Sequence, residues 1–252
     1  MGLADRYQEL EVRFSEKASE WKRTYLPYRT PTKPVDYILV CMEPSSHGVS
    51  SDASAAAIRS GFRNFSLSRE DFILHHCVRV YLCQGGETYF LTDVDKGMMK
   101  VEEACPQRAR RYETWRDLLV EEINLVARPD GETAVVAIGV DPAEQIEQIH
   151  EHLRARYVGR TLHYSRTGMA HRQNAKYQDP GGYDSFRSGL DGHAYLTKTT
   201  TDTLSELGIN GQSATDRLSL VSARQLSECE RMLMFTYFRD FATIRSGGSL
   251  RR

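Results

Sequence analysis

The sequence predicts an α/β protein, a three-layer helix-sheet-helix sandwich around a central four-stranded, mainly parallel sheet. Three short runs, Tyr37 to Cys41, Thr88 to Val94 and Ala134 to Gly139, have the composition of buried strands, and Val158 to His163 predicts a fourth strand. Segments with helical spacing stand between these runs, as in βαβ units with right-handed crossovers. One run, Ala134 to Gly139, contains no polar side chain, which is typical of a central parallel strand.

Composition narrows the class of protein. The chain has 252 residues, of which 40% are hydrophobic and 27% charged, as in ordinary globular domains. A net charge of −1 gives no global attraction to nucleic acid, so any basic surface must be local. Because no apolar run could cross a bilayer and the first thirty residues are highly charged, we expect no membrane association and a cytoplasmic location. Five cysteines without a CxxC pair predict reduced thiols.

The first part of the chain alternates helix and strand. The spacing of apolar residues predicts an amphipathic helix over residues 3–26. The apolar positions recur at steps of three and four residues: Leu3, Tyr7, Leu10, Phe14, Ala18 and Trp21. Prolines then lead into a first strand, Tyr37 to Cys41, which breaks at Glu43-Pro44. Residues 53–58 predict a short helix capped by Asp52, and residues 71–83 fit either a helix or a strand.

The remaining strands follow the same alternation. Thr88 to Val94 predicts a second strand, and residues 107–126 a charged helix with Trp115 on its apolar face. The third strand is the run ending at Gly139. A helix over residues 141–152 precedes a fourth strand, Val158 to His163.

The last third of the chain has a different character. Residues 166–192 are polar, rich in glycine and basic side chains, and predict a long irregular segment. Helical spacing returns over residues 201–245. We find no boundary and expect a single domain over 1–252: an N-terminal helix and linker (1–34), a motif-bearing core (35–172), and a basic loop with a helical C-terminal cap (173–252).

Polar residues at the strand ends are candidates for chemistry. Glu43, Asp93, Gly139 and His163 each follow or end a predicted strand, and ligands of α/β sheets bind beyond the carboxyl ends of the strands. An ordinary solvated loop is the alternative for Glu43. The sequence His75-His76-Cys77 contains metal-ligand types, but adjacent residues point in different directions, so no metal site is predicted.

Four motifs in this order resemble the uracil-DNA glycosylase superfamily. Cys41-Met42-Glu43-Pro44-Ser45 is similar to its catalytic loop, and Asn64-Phe65-Ser66 to the stretch whose Phe stacks on the flipped base. Residues 91–96, Leu-Thr-Asp-Val-Asp-Lys, resemble the strand end that reads the base edge. His163-Tyr164-Ser165 resembles the His-Pro-Ser motif. The resemblance covers roughly residues 35–172.

The resemblance implies a DNA glycosylase and a role for each residue. Glu43 and His163 are the expected catalytic residues, and Ser45, Phe65 and Asp93 the expected base-binding residues. The basic segment after His163 is expected to bind DNA phosphates, with a solvated loop as the alternative; its residues are Ser165, Arg166, Met169, His171, Arg172 and Lys176. DNA is the implied partner.

Two departures from the family pattern indicate which base the protein is expected to remove from DNA. Asp93 stands where uracil enzymes have an Asn, and an ionised carboxylate only accepts hydrogen bonds, which suits the amino group of cytosine. If Asp93 is protonated in a dry pocket, it can also donate to cytosine N3 and ease departure of the base. A misalignment by one residue is the alternative. Ser45 replaces a Tyr that excludes 5-substituents. Together they resemble an anti-phage branch that removes glucosylated 5-hydroxymethylcytosine, so phage DNA with modified bases is an expected partner.

The residues also bear on cofactors and on rival functions. Iron-sulfur members hold their cluster with cysteines, but Trp115 and Gly97 fall at ligand positions in this chain, so we expect no cluster, no other cofactor and no metal. We expect a monomer. The rival functions are a conventional uracil or mismatch repair glycosylase and a catalytically silent DNA-binding relative. An unrelated hydrolase or nucleotide-binding protein is disfavoured because GxSxG and a phosphate loop are absent.

Overall fold

A computed structural model describes most of the chain: residues 2–20, 25, 30–42, 69–94, 108–164, 176–190, 192–206, 211 and 226–250. The chain forms two compact units. Unit 1 comprises residues 1–66, 86–160 and 251–252, and unit 2 comprises residues 67–85 and 161–250. Two buried hydrophobic clusters lie in unit 1 and one in unit 2 among the described residues. The single domain expected from the sequence stays a prediction.

Among the described elements, strands and helices alternate up to the fourth strand, after which helices follow. The strands are β1 (Tyr37–Cys41), β2 (Tyr89–Asp93), β3 (Ala134–Ile138) and β4 (Arg156–Thr161). The α-helices are α1 (Leu3–Glu20), α2 (Arg69–Cys77), α3 (Arg108–Val126), α4 (Val140–Glu147), α5 (Pro180–Gly189), α6 (Gly192–Glu206) and α7 (Glu228–Arg245). A π-helix (Val78–Leu82) follows α2, and a 3₁₀ turn (His150–His152) follows α4.

The fold class is confirmed: the protein is α/β with a four-stranded parallel sheet, which is compatible with the predicted three-layer sandwich. The strand order is β2-β1-β3-β4. The central strand β1 pairs in parallel with β2 and β3, and its residues Ile38 to Cys41 have no solvent exposure. Strands buried on both faces are mostly apolar, which is why β1 and β3 are apolar runs, whereas β2 ends in the buried polar residues Thr92 and Asp93.

Helices α1 and α3 pack together in unit 1. The predicted apolar face of α1 is confirmed, because Leu10, Phe14 and Ala18 form one buried cluster with Trp115 and Leu118 of α3. The Phe14 and Trp115 ring centroids are 5.5 Å apart. Trp115 is therefore a core aromatic residue of unit 1.

Helix α7 is the long core helix of unit 2. It begins at a capping box: the Ser227 hydroxyl accepts from the Glu230 amide, and the Glu230 carboxylate accepts from the Ser227 amide. Nine of its side chains are buried. It packs on α2, on the π-helix and on α5.

Several predicted elements differ from the structure. The ambiguous segment 71–83 is helical. The fourth strand ends at Thr161 and not at His163, and the helix predicted over 141–152 ends at Glu147. The segment 166–192 is not wholly irregular, because α5 lies within it. Asp179 caps α5 by accepting from the Gly182 amide at 3.0 Å, Pro180 provides a fixed φ at its start, and Tyr183 is fully buried.

One predicted helix, over residues 53–58, lies outside the described residues, as does the predicted extension of α1 beyond residue 20 apart from Tyr25. None of the described helices is both long enough and apolar enough to span a membrane.

Candidate active-site edge of the sheet

The carboxyl ends of β1 and β2 lie side by side in unit 1. Cys41 is in register with Asp93, and the Val94 amide donates to the Cys41 carbonyl oxygen at 2.9 Å. Partners in a parallel ladder point to the same face, so the Asp93 side chain is beside that of Cys41. Both residues have no solvent exposure. Glu43 follows Cys41 by two residues and itself lies outside the described residues.

A second buried carboxylate fixes the end of β2 from the opposite face. Glu122, on α3, accepts a hydrogen bond from the Thr92 hydroxyl at 2.6 Å and another from the Tyr7 hydroxyl at 2.8 Å. Successive strand residues alternate in direction, so Thr92 faces the helices α1 and α3 while Asp93 faces away from them. The Thr92 hydroxyl therefore ties the backbone that carries Asp93 to two helices.

Sequence reasoning missed Glu122, although a signal was present. Trp115, Leu118 and Leu119 define the apolar stripe of α3, and Ile123 and Val126 continue it. Position 122 lies on the same stripe at steps of three and four residues. A carboxylate there is buried by the same packing that buries its neighbours, and a buried charge needs hydrogen-bond partners.

The end of β3 completes the edge next to β1. Val40 is in register with Ala137, and α4 begins directly after Gly139. Gly139 has a φ of 107°, a conformation that side chains with a Cβ rarely adopt. This glycine lets the chain turn from strand to helix in one residue, so β3 ends at the edge where Asp93 lies.

His163 follows β4 and belongs to unit 2. It lies two residues beyond the last strand residue, Thr161, which corrects the prediction that it ends the strand. Its ring stacks on that of Tyr164, with centroids 4.4 Å apart and planes 18° from parallel. Tyr164 is buried.

The basic segment is described only from Lys176 onward. The Lys176 ammonium is 3.1 Å from Glu228 Oε1 and 5.3 Å from the centre of the Tyr183 ring. Burial raises the pKa of Glu228, whereas the Tyr183 hydroxyl and the cations Lys176 and Arg187 lower it. The lowering effects are larger in sum, and the pKa of Glu228 lies below its usual value. A phosphate at Lys176 must compete with this carboxylate.

Many of the predicted site residues lie outside the described residues, and their roles stay predictions: Glu43, Ser45, Phe65, Ser165, Arg166, Met169, His171 and Arg172.

The pair His75 and His76 is buried in unit 2, at the end of α2. Burial, together with the charges of Arg79 and His76, holds the pKa of His75 well below its usual value. Burial lowers the pKa of His76 to about 4 and raises that of the adjacent Cys77 thiol. Across the described part of the chain, no group of three or more His, Cys, Asp or Glu side chains is arranged to hold a metal ion.

Comparison with protein-family models gives no match, and neither does comparison with curated proteins.

Proposed function

We propose that the chain is a DNA glycosylase that flips a pyrimidine nucleotide and hydrolyses its N-glycosidic bond, leaving an abasic site. The observation that carries the proposal is the register of β1 with β2. It places the fully buried carboxylate of Asp93 beside the strand that leads into Glu43. A buried polar side chain at the carboxyl edge of a parallel sheet is suited to bind a ligand there.

Asp93 supplies the base specificity in this proposal. An ionised carboxylate accepts hydrogen bonds and donates none, so it pairs with the N4 amino group of cytosine and opposes the O4 atom of uracil. The Thr92–Glu122 bond supports this role because it holds the adjacent backbone against α3. A site must hold its polar groups in fixed positions if one hydrogen bond is to discriminate between bases.

The reaction is displacement of the base by water. Glu43 stabilises the positive charge that develops on the sugar and positions the water, whose oxygen bonds to C1′ as the bond from C1′ to the base breaks. The attacking water gives up one proton to Glu43. His163 donates a hydrogen bond to the departing base, which leaves with the electron pair of the broken bond and takes up one proton, so that one water molecule is added across the bond. Phe65 stacks on the flipped base. No cofactor is needed.

The substrate that we propose is a 5-modified cytosine. Ser45 leaves open the space beside C5, so a substituent such as a glucosylated hydroxymethyl group fits there. Bases of this kind belong to phage DNA, and their removal is an antiviral defence. The protein then acts as a cytoplasmic monomer on DNA, and the basic segment from Ser165 to Lys176 contacts the phosphates.

The test is release of bases from defined oligonucleotides. Duplex and single-stranded DNA containing uracil, cytosine, 5-hydroxymethylcytosine or its glucosylated form is incubated with the protein, and abasic sites are detected by alkaline cleavage. We expect release of the modified cytosine. Release of uracil alone would indicate a conventional repair glycosylase, and DNA binding without release a silent relative.

Matched variants assign the activity to the proposed residues. Glu43→Gln and His163→Ala should each lower the rate at least about a hundredfold. Glu132→Gln and His150→Ala change an exposed carboxylate and an exposed imidazole outside the proposed site, and should leave the rate unchanged. Near-normal rates in Glu43→Gln and His163→Ala would refute the assignment.

A further inference from the structure

Two hydrogen bonds in unit 2 join α7 to the residues directly before His163. The Tyr237 hydroxyl donates to the Leu162 carbonyl oxygen at 2.9 Å. The Thr161 hydroxyl donates to Asp240 Oδ2 at 2.6 Å. Two consecutive residues ahead of His163 are thus held by one helix.

The two α7 side chains form a rigid support. Tyr237 and Asp240 are three residues apart, so they lie on the same face of the helix. The Tyr237 ring is fully buried and stacks on Phe241, with centroids 5.5 Å apart and planes 5° from parallel. Asp240 and Thr161 are 4% and 2% exposed. Their positions are therefore fixed by packing as well as by hydrogen bonds.

The Thr161–Asp240 pair is a polar contact, whereas most of the buried side chains of α7 are not polar. The other buried side chains of α7 are apolar or aromatic, apart from Thr236, which bonds within the helix to the Met232 carbonyl oxygen. Burying a carboxylate costs desolvation that a hydrogen bond only offsets, and apolar residues of similar volume often stabilise a core equally well. What the polar pair adds is a directional constraint on residue 161.

We infer that Tyr237 and Asp240 are positioning residues for His163, an inference that rests on the proposed function of that histidine. The backbone before the imidazole is held by α7, and the ring itself stacks on the buried Tyr164. A hydrogen-bond donor to a departing base must lie within a narrow range of distance and angle, and displacement by about 1 Å can cost about a hundredfold in rate. Within unit 2, helix α7 holds the backbone that precedes this donor.

The first test is kinetic. Tyr237→Phe keeps the ring and its stacking and removes only the donor to Leu162. We expect the single-turnover rate at saturating DNA to fall about tenfold, a fraction of the effect of one lost catalytic group, while the Kd for abasic DNA changes less than about twofold. Thr161→Val should act in the same way, and Thr161→Ser, which keeps the hydroxyl, should restore the rate.

Two controls separate positioning from a general loss of structure. Thr236→Val removes a buried hydroxyl of the same helix that does not reach residues 161–162, and should keep the wild-type rate. In a His163→Ala background, Tyr237→Phe should cause no further loss, because the residue that it positions is gone. An equal loss in both backgrounds, or a full rate in Tyr237→Phe, would overturn the inference.

The second test does not depend on activity. In ¹³C–¹H spectra of the histidine rings, the His163 resonance is assigned by its loss in His163→Ala. Tyr237→Phe should shift this resonance, and Thr236→Val should not. A shift in a protein that releases no base refutes the proposed function but supports the placement of His163 by α7. An unshifted resonance in an active protein refutes the placement alone.

Discussion

The Thr92 hydroxyl donates to the Glu122 carboxylate across 2.6 Å, one residue before Asp93. Glu122 also accepts from Tyr7 at 2.8 Å, so one buried carboxylate joins α1, α3 and β2. If the Glu122 carboxylate is removed, the buried hydroxyls of Thr92 and Tyr7 each lose this acceptor. Glu122→Leu should therefore lower the free energy of unfolding by about 1–3 kcal/mol, measured by urea unfolding.

The neighbouring residue provides the control for that prediction. Glu121 is on the same helix and forms an exposed ion pair with Arg13 at 2.6 Å. Surface ion pairs contribute between about 0 and 1 kcal/mol, so Glu121→Leu should be nearly neutral. Equal effects of the two substitutions would show that Glu122 does not hold the end of β2.

Substitution of Asp93 should change the preference of the protein between cytosine and uracil. Asp93→Asn exchanges an acceptor for an amide that both donates and accepts, which favours the uracil edge over the cytosine edge. One mispaired hydrogen bond in a dry site costs about 1–3 kcal/mol, so the ratio of uracil to cytosine release should rise by a factor of about ten to a hundred. An unchanged ratio would contradict base reading by Asp93.

Ser45→Tyr tests the space beside C5. We expect a ring at this position to abolish release of glucosylated 5-hydroxymethylcytosine by steric exclusion. Release of unsubstituted cytosine should continue, because Glu43 and His163 are unchanged. The measurement compares both bases in the same sequence, and Ser45→Ala, which leaves the space open, serves as control.

The salt dependence of DNA binding should distinguish two basic residues. If the segment after His163 contacts phosphates, Arg172→Ala should reduce the slope of log K against log salt by about one unit. Lys176 is already paired with Glu228, so Lys176→Ala should change the slope less. Titrations between low and physiological salt measure both slopes, and a salt-independent affinity would exclude phosphate binding by the whole segment.

Stability should fall in mild acid because of His76. Its pKa is about 4 in the folded protein, against a usual value of 6.5. The unfolded chain therefore takes up a proton between these values while the folded protein does not, and the stability present above pH 6.5 is lost as the pH falls toward 4. His76 alone accounts for up to about 3 kcal/mol.

Unfolding free energies at intervals from about pH 7 to about pH 4.5 measure this effect. In His76→Leu the slope with pH should be shallower, whatever the absolute stability of the variant. His150→Leu changes an exposed imidazole and should leave the slope as in wild type. A slope unchanged in His76→Leu would contradict the burial of a neutral His76.

The strands and the amphipathic helices could be predicted because their signals are local. The apolar runs became β1 to β3, and the three- and four-residue steps of α1 and α3 became buried faces. Helix α5 was missed because its start is marked only by Asp179-Pro180 and few of its residues are apolar. No amino-acid composition distinguishes the π-helix in the sequence, since it differs from an α-helix only in its hydrogen-bond pairing.

The supports of the site could not be predicted for a different reason. Thr92 and Glu122 are 30 positions apart in sequence, and Thr161 and Asp240 are 79 apart. A single sequence contains the residue types of such pairs but no record of which residues meet. Polar side chains on otherwise apolar helical stripes, such as Glu122 and Asp240, were the available sign that a partner existed.

The two segments of unit 2 have a consequence for its synthesis. Residues 67–85 leave the ribosome long before α7, which covers α2 and the π-helix. During translation the apolar surface around His76 and Leu82 has no α7 to cover it until about 150 further residues have been made. The nascent chain thus exposes an aggregation-prone apolar surface during much of its elongation. We expect the yield of folded protein to depend on chaperones that bind such surfaces.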